Sequence, residues 1–319
     1  MRVLLTGGFG YIGGRLARML AAANGYELTL GTRRMAQSPS WAPEASVCRL
    51  DWASHSNLSR VCHGMDAVVH LAGMNAGECS RDPVAALEFN GVGTARLLRA
   101  AVEQQVSRFV YLSTAHVYGR ALRGRVDEQT RPEPYHPYAT SHRAGEDVVA
   151  VTHVSKAIVG IVIRLSNSYG PPADPKSDCW SLAINDFCRQ VSHTRSVTLK
   201  TAGLQRRDFV PLAEACRAIE HLLHLPAPDL GDGIFNVGSG WAPTMLETAE
   251  AVAAQVESTL GFRPHVHRGT AIDSVAGDAL EYSVQRLMAT GFKPRPAAII
   301  EELRQLILFC AQHDTAITA

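Results

Sequence analysis

The segment LLTGGFGYIGGRLARML, residues 4–20, joins a strand to a helix through a turn of glycines. The apolar run RVLLT (residues 2–6) has strand length, Gly7, Gly10 and Gly13 follow it, and a helical pattern begins at once. Glycines in such a turn let the main chain come close to a pyrophosphate. The unpaired N–H groups and positive dipole end of the helix then hold the anion. The loop residues expected to bind a dinucleotide cofactor are Gly7, Phe9, Gly10, Tyr11, Ile12 and Gly13.

Outward from this turn, strand-length apolar runs recur at YELTLG (26–31), DAVVHLAG (66–73), RFVYLST (108–114) and AIVGIVIRL (157–165). Longer helical stretches separate them, such as IGGRLARMLAAA (12–23) and NGVGTARLLRAAVEQQ (90–105). This alternation predicts βαβ units and an α/β, doubly wound parallel sheet covered by helices on both faces. After NSYGPP (167–172) the order loosens, with a helix expected around SLAINDFCRQV (181–191) and short elements up to GFKPRPAAIIEELRQLILF. The expected division is a dinucleotide-binding domain over 1–170, to which 207–240 partly returns, and a smaller α/β substrate-binding domain over 171–319. The pocket should lie between them, above the sheet's carboxyl edge, where ligands of open α/β sheets bind.

Composition narrows the function. With 319 residues, 46% of them hydrophobic, and a formal net charge of +1, the chain has no broad field to attract nucleic acid or an acidic membrane. Its seven cysteines form no CxxC, so no metal site and no disulfide framework is expected. No apolar run approaches the roughly 20 residues of a membrane span, and the first residues carry no signal-peptide pattern. The expected compartment is the cytoplasm.

The end of the second strand chooses the cofactor. A carboxylate there would bind the 2′-hydroxyl of NAD, but this chain has LGTRR (30–34). Arg33 and Arg34 are placed to meet the 2′-phosphate of NADP, or stand as solvated surface arginines. Asp51 in CRLDW (48–52), with Trp52 beside it, is placed to accept from an adenine amino group, or caps a helix.

Together these motifs resemble the extended short-chain dehydrogenase/reductase family, the NAD(P)-dependent epimerase/dehydratase group that acts mainly on nucleotide sugars. TGGFGYIG (6–13), HLAG (70–73), NGVGTARLLRAA (90–101), LSTAHVYG (112–119) and PYATSHRAGE (137–146) are similar to its ordered first-half motifs. RLSNSYGP (164–171), RRDFV (206–210) and FNVGSG (235–240) are similar to those of its second half. The resemblance implies a Rossmann fold, catalytic Thr114 and Tyr138, and cofactor contacts from Leu71, Ala72, Gly73, Asn90, Tyr138, His142 and Leu165. It also implies that Asn167 and Arg207 face the substrate's diphosphate, for which a guanidinium fork suits, although Arg207 has Asp208 beside it as an alternative partner. A homodimer joined through the helix from about residue 83 and the helix carrying Tyr138 follows from the same resemblance.

Two departures matter. The family places a lysine four residues after the tyrosine, on the same helix face, where this chain has His142. An ammonium about 4 Å away is worth about 4 kcal/mol at an effective dielectric of 20, enough to lower a phenol by up to about 3 pKa units. Histidine is mostly neutral at pH 7. Its loss of charge hurts oxidation, which needs phenolate, more than reduction, which needs phenol. Secondly, the family's sugar dehydratases follow the catalytic threonine with Asp and Glu, whereas Ala115 and His116 stand here. Elimination is not expected, and His116 either touches the sugar or packs. The leading expectation is an NADPH-dependent nucleotide-sugar 4-ketoreductase. The alternatives are a C4 epimerase with tightly held dinucleotide, a non-catalytic dinucleotide-binding protein, and a reductase of some other carbonyl or lactone.

Overall fold

The computed structural model describes residues 1–34, 36–271 and 279–313. Its centre is a parallel sheet of seven strands: β1 (Arg2–Thr6), β2 (Glu27–Thr32), β3 (Ser46–Arg49), β4 (Ala67–His70), β5 (Arg108–Thr114), β6 (Val159–Leu165) and β7 (Ile234–Val237). Their order is β7-β6-β5-β4-β1-β2-β3. The chain therefore starts mid-sheet, winds out to β3, and returns to add β4 on the other side of β1. Thr6 and His70 stand in register at that reversal. A doubly wound sheet opens its ligand crevice at such a point, beyond the carboxyl ends of the strands. The all-buried pattern of β4, and near-continuous burial in β1 and β6, fit a sheet covered on both faces.

The second half adds short parallel pairs, Asn167–Tyr169 with Phe209–Pro211 and Ser196–Thr198 with His265–His267. It also supplies the helices Ala183–Thr194, Leu212–His224, Met245–Leu260 and Ala297–Gln312. From this half β7 joins the central sheet by pairing with β6. One continuous apolar core joins sheet residues Val3, Leu5 and Leu30 to Ile184, Val252 and Leu306 of the later helices.

Two buried ion pairs tie the parts that carry the site. Arg15, on the Tyr11–Ala22 helix, places Nη1 2.8 Å from Glu302 Oε1 and donates to the Pro171 carbonyl at 2.6 Å. Arg164 on β6 donates through Nε and Nη2 to Glu146 of the Pro137–Val154 helix, at 3.1 and 2.9 Å, and through Nη1 to the Tyr118 hydroxyl at 3.0 Å. Removing one partner of such a pair leaves an uncompensated buried charge. The helix that carries Tyr138 is thereby fixed against the sheet.

Candidate active site

At the carboxyl end of β1 the glycines leave no room for side chains. A Cβ on Gly7 would lie 2.8 Å from the Ala72 nitrogen, and one on Gly13 would lie 2.1 Å from the Gly7 oxygen. Gly7 also has φ +71°, which favours glycine. Gly10 starts the helix with no side-chain cap, so its first N–H groups stay available to an anion. Beside them lies a cavity of about 210 Å³, lined among others by Phe9, Thr32, Arg33, Trp52, Leu71 and Phe89. The Arg33 guanidinium sits 5.4 Å from the Phe89 ring centroid. The buried Trp52 Nε1 has no hydrogen-bond partner among the described residues. A narrow glycine cradle, an open helix terminus and an orphaned donor together fit a dinucleotide.

The expected cofactor residues do not all meet there. Gly7, Phe9, Gly10, Arg33, Trp52, Leu71, Ala72 and Gly73 line this cavity. Arg34 is exposed outside it, and so is Asp51, whose Oδ1 accepts from the Ala53 N–H at 3.1 Å. Tyr11 turns into the core and donates to the Gly170 carbonyl at 3.1 Å, while Ile12 packs against the same core. Asn90 is buried with both amide atoms engaged: Oδ1 accepts from Met74 N at 2.9 Å and Nδ2 donates to Ser141 Oγ at 2.9 Å. It shapes the Gly73–Met74 wall from behind. Leu165 is buried in the core at the end of β6.

A larger cavity of about 670 Å³ lies on the second-half side, lined by Ala115, His116, His136, Tyr138, Ser166, Asn167, Arg206, Arg207 and Asp208 among others. Tyr138 reaches it from the first turn of the Pro137–Val154 helix. Proline opens that helix, and His136 caps it by accepting the Tyr138 N–H on Nδ1 at 3.2 Å. Burial raises the Tyr138 phenol to about 12, although the Thr114 hydroxyl lies close enough to oppose that rise. Thr114 ends β5, and its hydroxyl accepts from the His116 N–H at 3.2 Å.

One turn along the same helix, His142 is 7% exposed, with its ring centroid 4.5 Å from that of Tyr138 in an edge-on contact. Burial first, then the neighbouring His116, lowers His142 to about 4. His116, exposed to the cavity, is lowered as well, by its recessed position first and then by Arg207 and His136. Both imidazoles are neutral at physiological pH, so neither puts a cation beside Tyr138.

On the far wall, Asn167 Nδ2 donates to the Asp208 carbonyl at 2.9 Å and Arg207 Nη2 donates to Gln205 Oε1 at 2.9 Å. Sequence reasoning did not single out Ser166, and it named Asp208 only as an alternative partner of Arg207. Asp208 is 3% exposed, and burial pushes its carboxyl up to about 6 against the opposing effect of the Ser166 hydroxyl and the Ser239 and Gly240 N–H groups. The pattern RRDFV held a signal for Arg206, which also lines the cavity. His70 was missed too: its Nδ1 lies 2.7 Å from Thr6 Oγ1 and its Nε2 3.0 Å from Thr94 Oγ1, joining the strand ends at the sheet's reversal.

The sequence profile of the NAD-dependent epimerase/dehydratase family matches residues 3–238. The chain belongs to this family. It is an NAD(P)-dependent enzyme of the extended short-chain dehydrogenase/reductase group, with the expected doubly wound fold. It is 30% identical over 265 residues to a dTDP-glucose 4,6-dehydratase of Streptomyces niveus, covering 79% of this chain and 76% of the relative. It is 28% identical over 264 residues to a GDP-6-deoxy-D-mannose reductase of Pseudomonas aeruginosa, covering 80% and 81%. A UDP-N-acetylglucosamine 4-epimerase from Methanobrevibacter ruminantium shares the fold, with a TM-score of 0.83 over 98% of both chains at 20% identity. Epimerase/dehydratase family members of three reaction types thus surround this chain. Among its described residues, no helix is long and apolar enough to cross a membrane.

Proposed function

We propose that the protein is an NADPH-dependent 4-ketoreductase acting on a nucleotide-linked sugar. The observation that carries this reading is the neutral His142 packed 4.5 Å from Tyr138. Without a neighbouring cation the phenol keeps its proton, which suits an acid and not a base. Bound NADPH supplies the hydride. Tyr138 gives its proton to the carbonyl oxygen, and the Thr114 hydroxyl holds that oxygen by a hydrogen bond. His116 lines the same cavity with its ring centroid 6.1 Å from that of Tyr138 and faces the sugar. Arg206, Arg207 and Asn167 on the far wall suit the diphosphate, because guanidinium forks match phosphate oxygens. Dehydration has no support in this cavity: Ala115 and His116 occupy the positions where elimination needs an acid and a base. The resemblance to the GDP-6-deoxy-D-mannose reductase supports the same reading.

The test supplies NADPH and a panel of nucleotide-linked 4-keto-6-deoxyhexoses to the purified protein. One NADPH should be oxidised per ketone reduced; no oxidation with any of them would sink the reading. An epimerase would instead hold oxidised dinucleotide through purification and interconvert two nucleotide sugars with no net change in cofactor.

Preference for NADP rests on Arg33, which lines the cofactor cavity where a carboxylate would serve NAD. Arg33→Ala should weaken NADPH binding about tenfold, in keeping with the loss of one charge-assisted hydrogen bond near solvent. NADH binding should stay within about twofold, and Arg34→Ala should leave both unchanged. Fluorescence titration with the two reduced cofactors reads the difference.

A homodimer suits the surface. Val84, Leu87 and Val92 on one helical stretch and Val151 and Val154 on the next are exposed apolar residues, the last two at 69% and 74%. Their two segments, Pro83–Gly93 and Pro137–Val154, pack side by side. Charge placed in the middle of a self-complementary apolar patch opposes association. Val151→Arg should therefore sediment as a monomer where the parent chain sediments as a dimer.

A further inference from the structure

His142 and Tyr111 form a buried pair with a defined direction. Tyr111, 1% exposed on β5, places its hydroxyl 3.1 Å from His142 Nδ1 and 3.4 Å from the His142 carbonyl. That carbonyl lies within the Pro137–Val154 helix, where it already accepts an N–H from the next turn. Of these two acceptors Nδ1 is the nearer and less committed one for the hydroxyl proton, with the Thr94 hydroxyl as a further polar neighbour. The other edge of the ring gives the same answer. A Cβ built on Gly73 would lie 3.6 Å from His142 Nε2 and 3.4 Å from Asn90 Oδ1. Asn90 is oriented by the Met74 N–H it accepts, so an oxygen faces this space. Nε2 and an acceptor oxygen thus border the same space beside Gly73, which an Nε2–H group suits better than a bare lone pair.

We infer that Tyr111 is a positioning residue that holds His142 as the neutral Nε2–H tautomer, turning a single N–H donor towards the Gly73 edge of the cofactor cavity. The ligand chemistry this donor suits is a hydroxyl oxygen of a bound sugar ring, ribose included. A neutral donor keeps the orienting hydrogen bond and supplies no charge to the phenol. The consequence for turnover rests on the ketoreductase reading; the tautomer does not.

The experiment uses the full chain with ¹⁵N-labelled histidine, observed by long-range ¹H–¹⁵N correlation at pH 7.5, with His142→Asn to assign the resonance. His142 in the parent chain should show a protonated Nε2 and an unprotonated Nδ1. Tyr111→Phe, which keeps the ring, should average the two nitrogens, raise the KM for NADPH about tenfold and change kcat less than threefold. An Nδ1–H pattern in the parent chain overturns the inference, and needs no variant to fold. So does an unchanged Nε2–H pattern in a folded Tyr111→Phe protein. If no ketone is reduced, the ketoreductase reading falls while the spectrum still decides the tautomer, and the dissociation constant for NADPH replaces the KM.

Discussion

Tyr138→Phe lowers ketone reduction about a thousandfold, while dinucleotide affinity and melting temperature stay close to those of the parent chain. Removing a positioned proton donor typically costs 10²- to 10⁴-fold. The middle of that range applies because Thr114 remains to hydrogen-bond the carbonyl oxygen, so part of the stabilisation survives. The ring stays, and with it the edge-on contact to His142, so packing changes little. Steady-state NADPH oxidation, a dinucleotide titration and a thermal melt on one preparation check the three parts. A loss below about tenfold, with the other two unchanged, would mean that the proton comes from elsewhere. His116 is the group placed to supply it, but it is already neutral, with a depressed pKa, and would have to donate as a very weak acid.

The fold was legible because local and global signals agree. Strand β1 and the glycine turn are contiguous in sequence, and the apolar runs of β5 and β6 are long enough to be buried on both faces. The expected runs for β1 and β5 coincide with the observed strands. The closeness of the three residues proposed for catalysis was legible for a related reason: Tyr138 and His142 share a helix face, and Thr114 ends a strand. Less legible was any role that depends on which way a side chain turns. Tyr11 sits in the glycine loop, yet its ring points into the core towards Gly170, 159 residues away. Asn90 sits in a cofactor-like motif, yet its amide is consumed in holding Met74 and Ser141. Arg33 and Arg34 are adjacent in sequence, and only the first lines the cavity. Asp208 needed tertiary context most, because its burial comes from Gly238, Ser239 and Tyr282, brought in from distant parts of the chain.

His142→Lys should speed oxidation of the alcohol by NADP about ten- to a hundredfold at pH 8 and leave reduction within about threefold. In the parent chain the phenol lies near 12, so the fraction of base rises about tenfold per pH unit, and oxidation should climb through the whole range up to that pH. Reduction needs the protonated form and should be flat over the same range. An ammonium about 4 Å from the phenol would favour phenolate by up to about 4 kcal/mol at an effective dielectric of 20. The full gain will not appear, because the position is buried, and burial also penalises the lysine charge. Hence the expected gain is one to two decades, with the rise of oxidation displaced to lower pH by a similar number of units. Initial rates in both directions from pH 6 to 10 read the effect. If oxidation falls along with reduction in a protein that melts normally, the imidazole is doing something a cation cannot, and the electrostatic account of this site's direction is wrong.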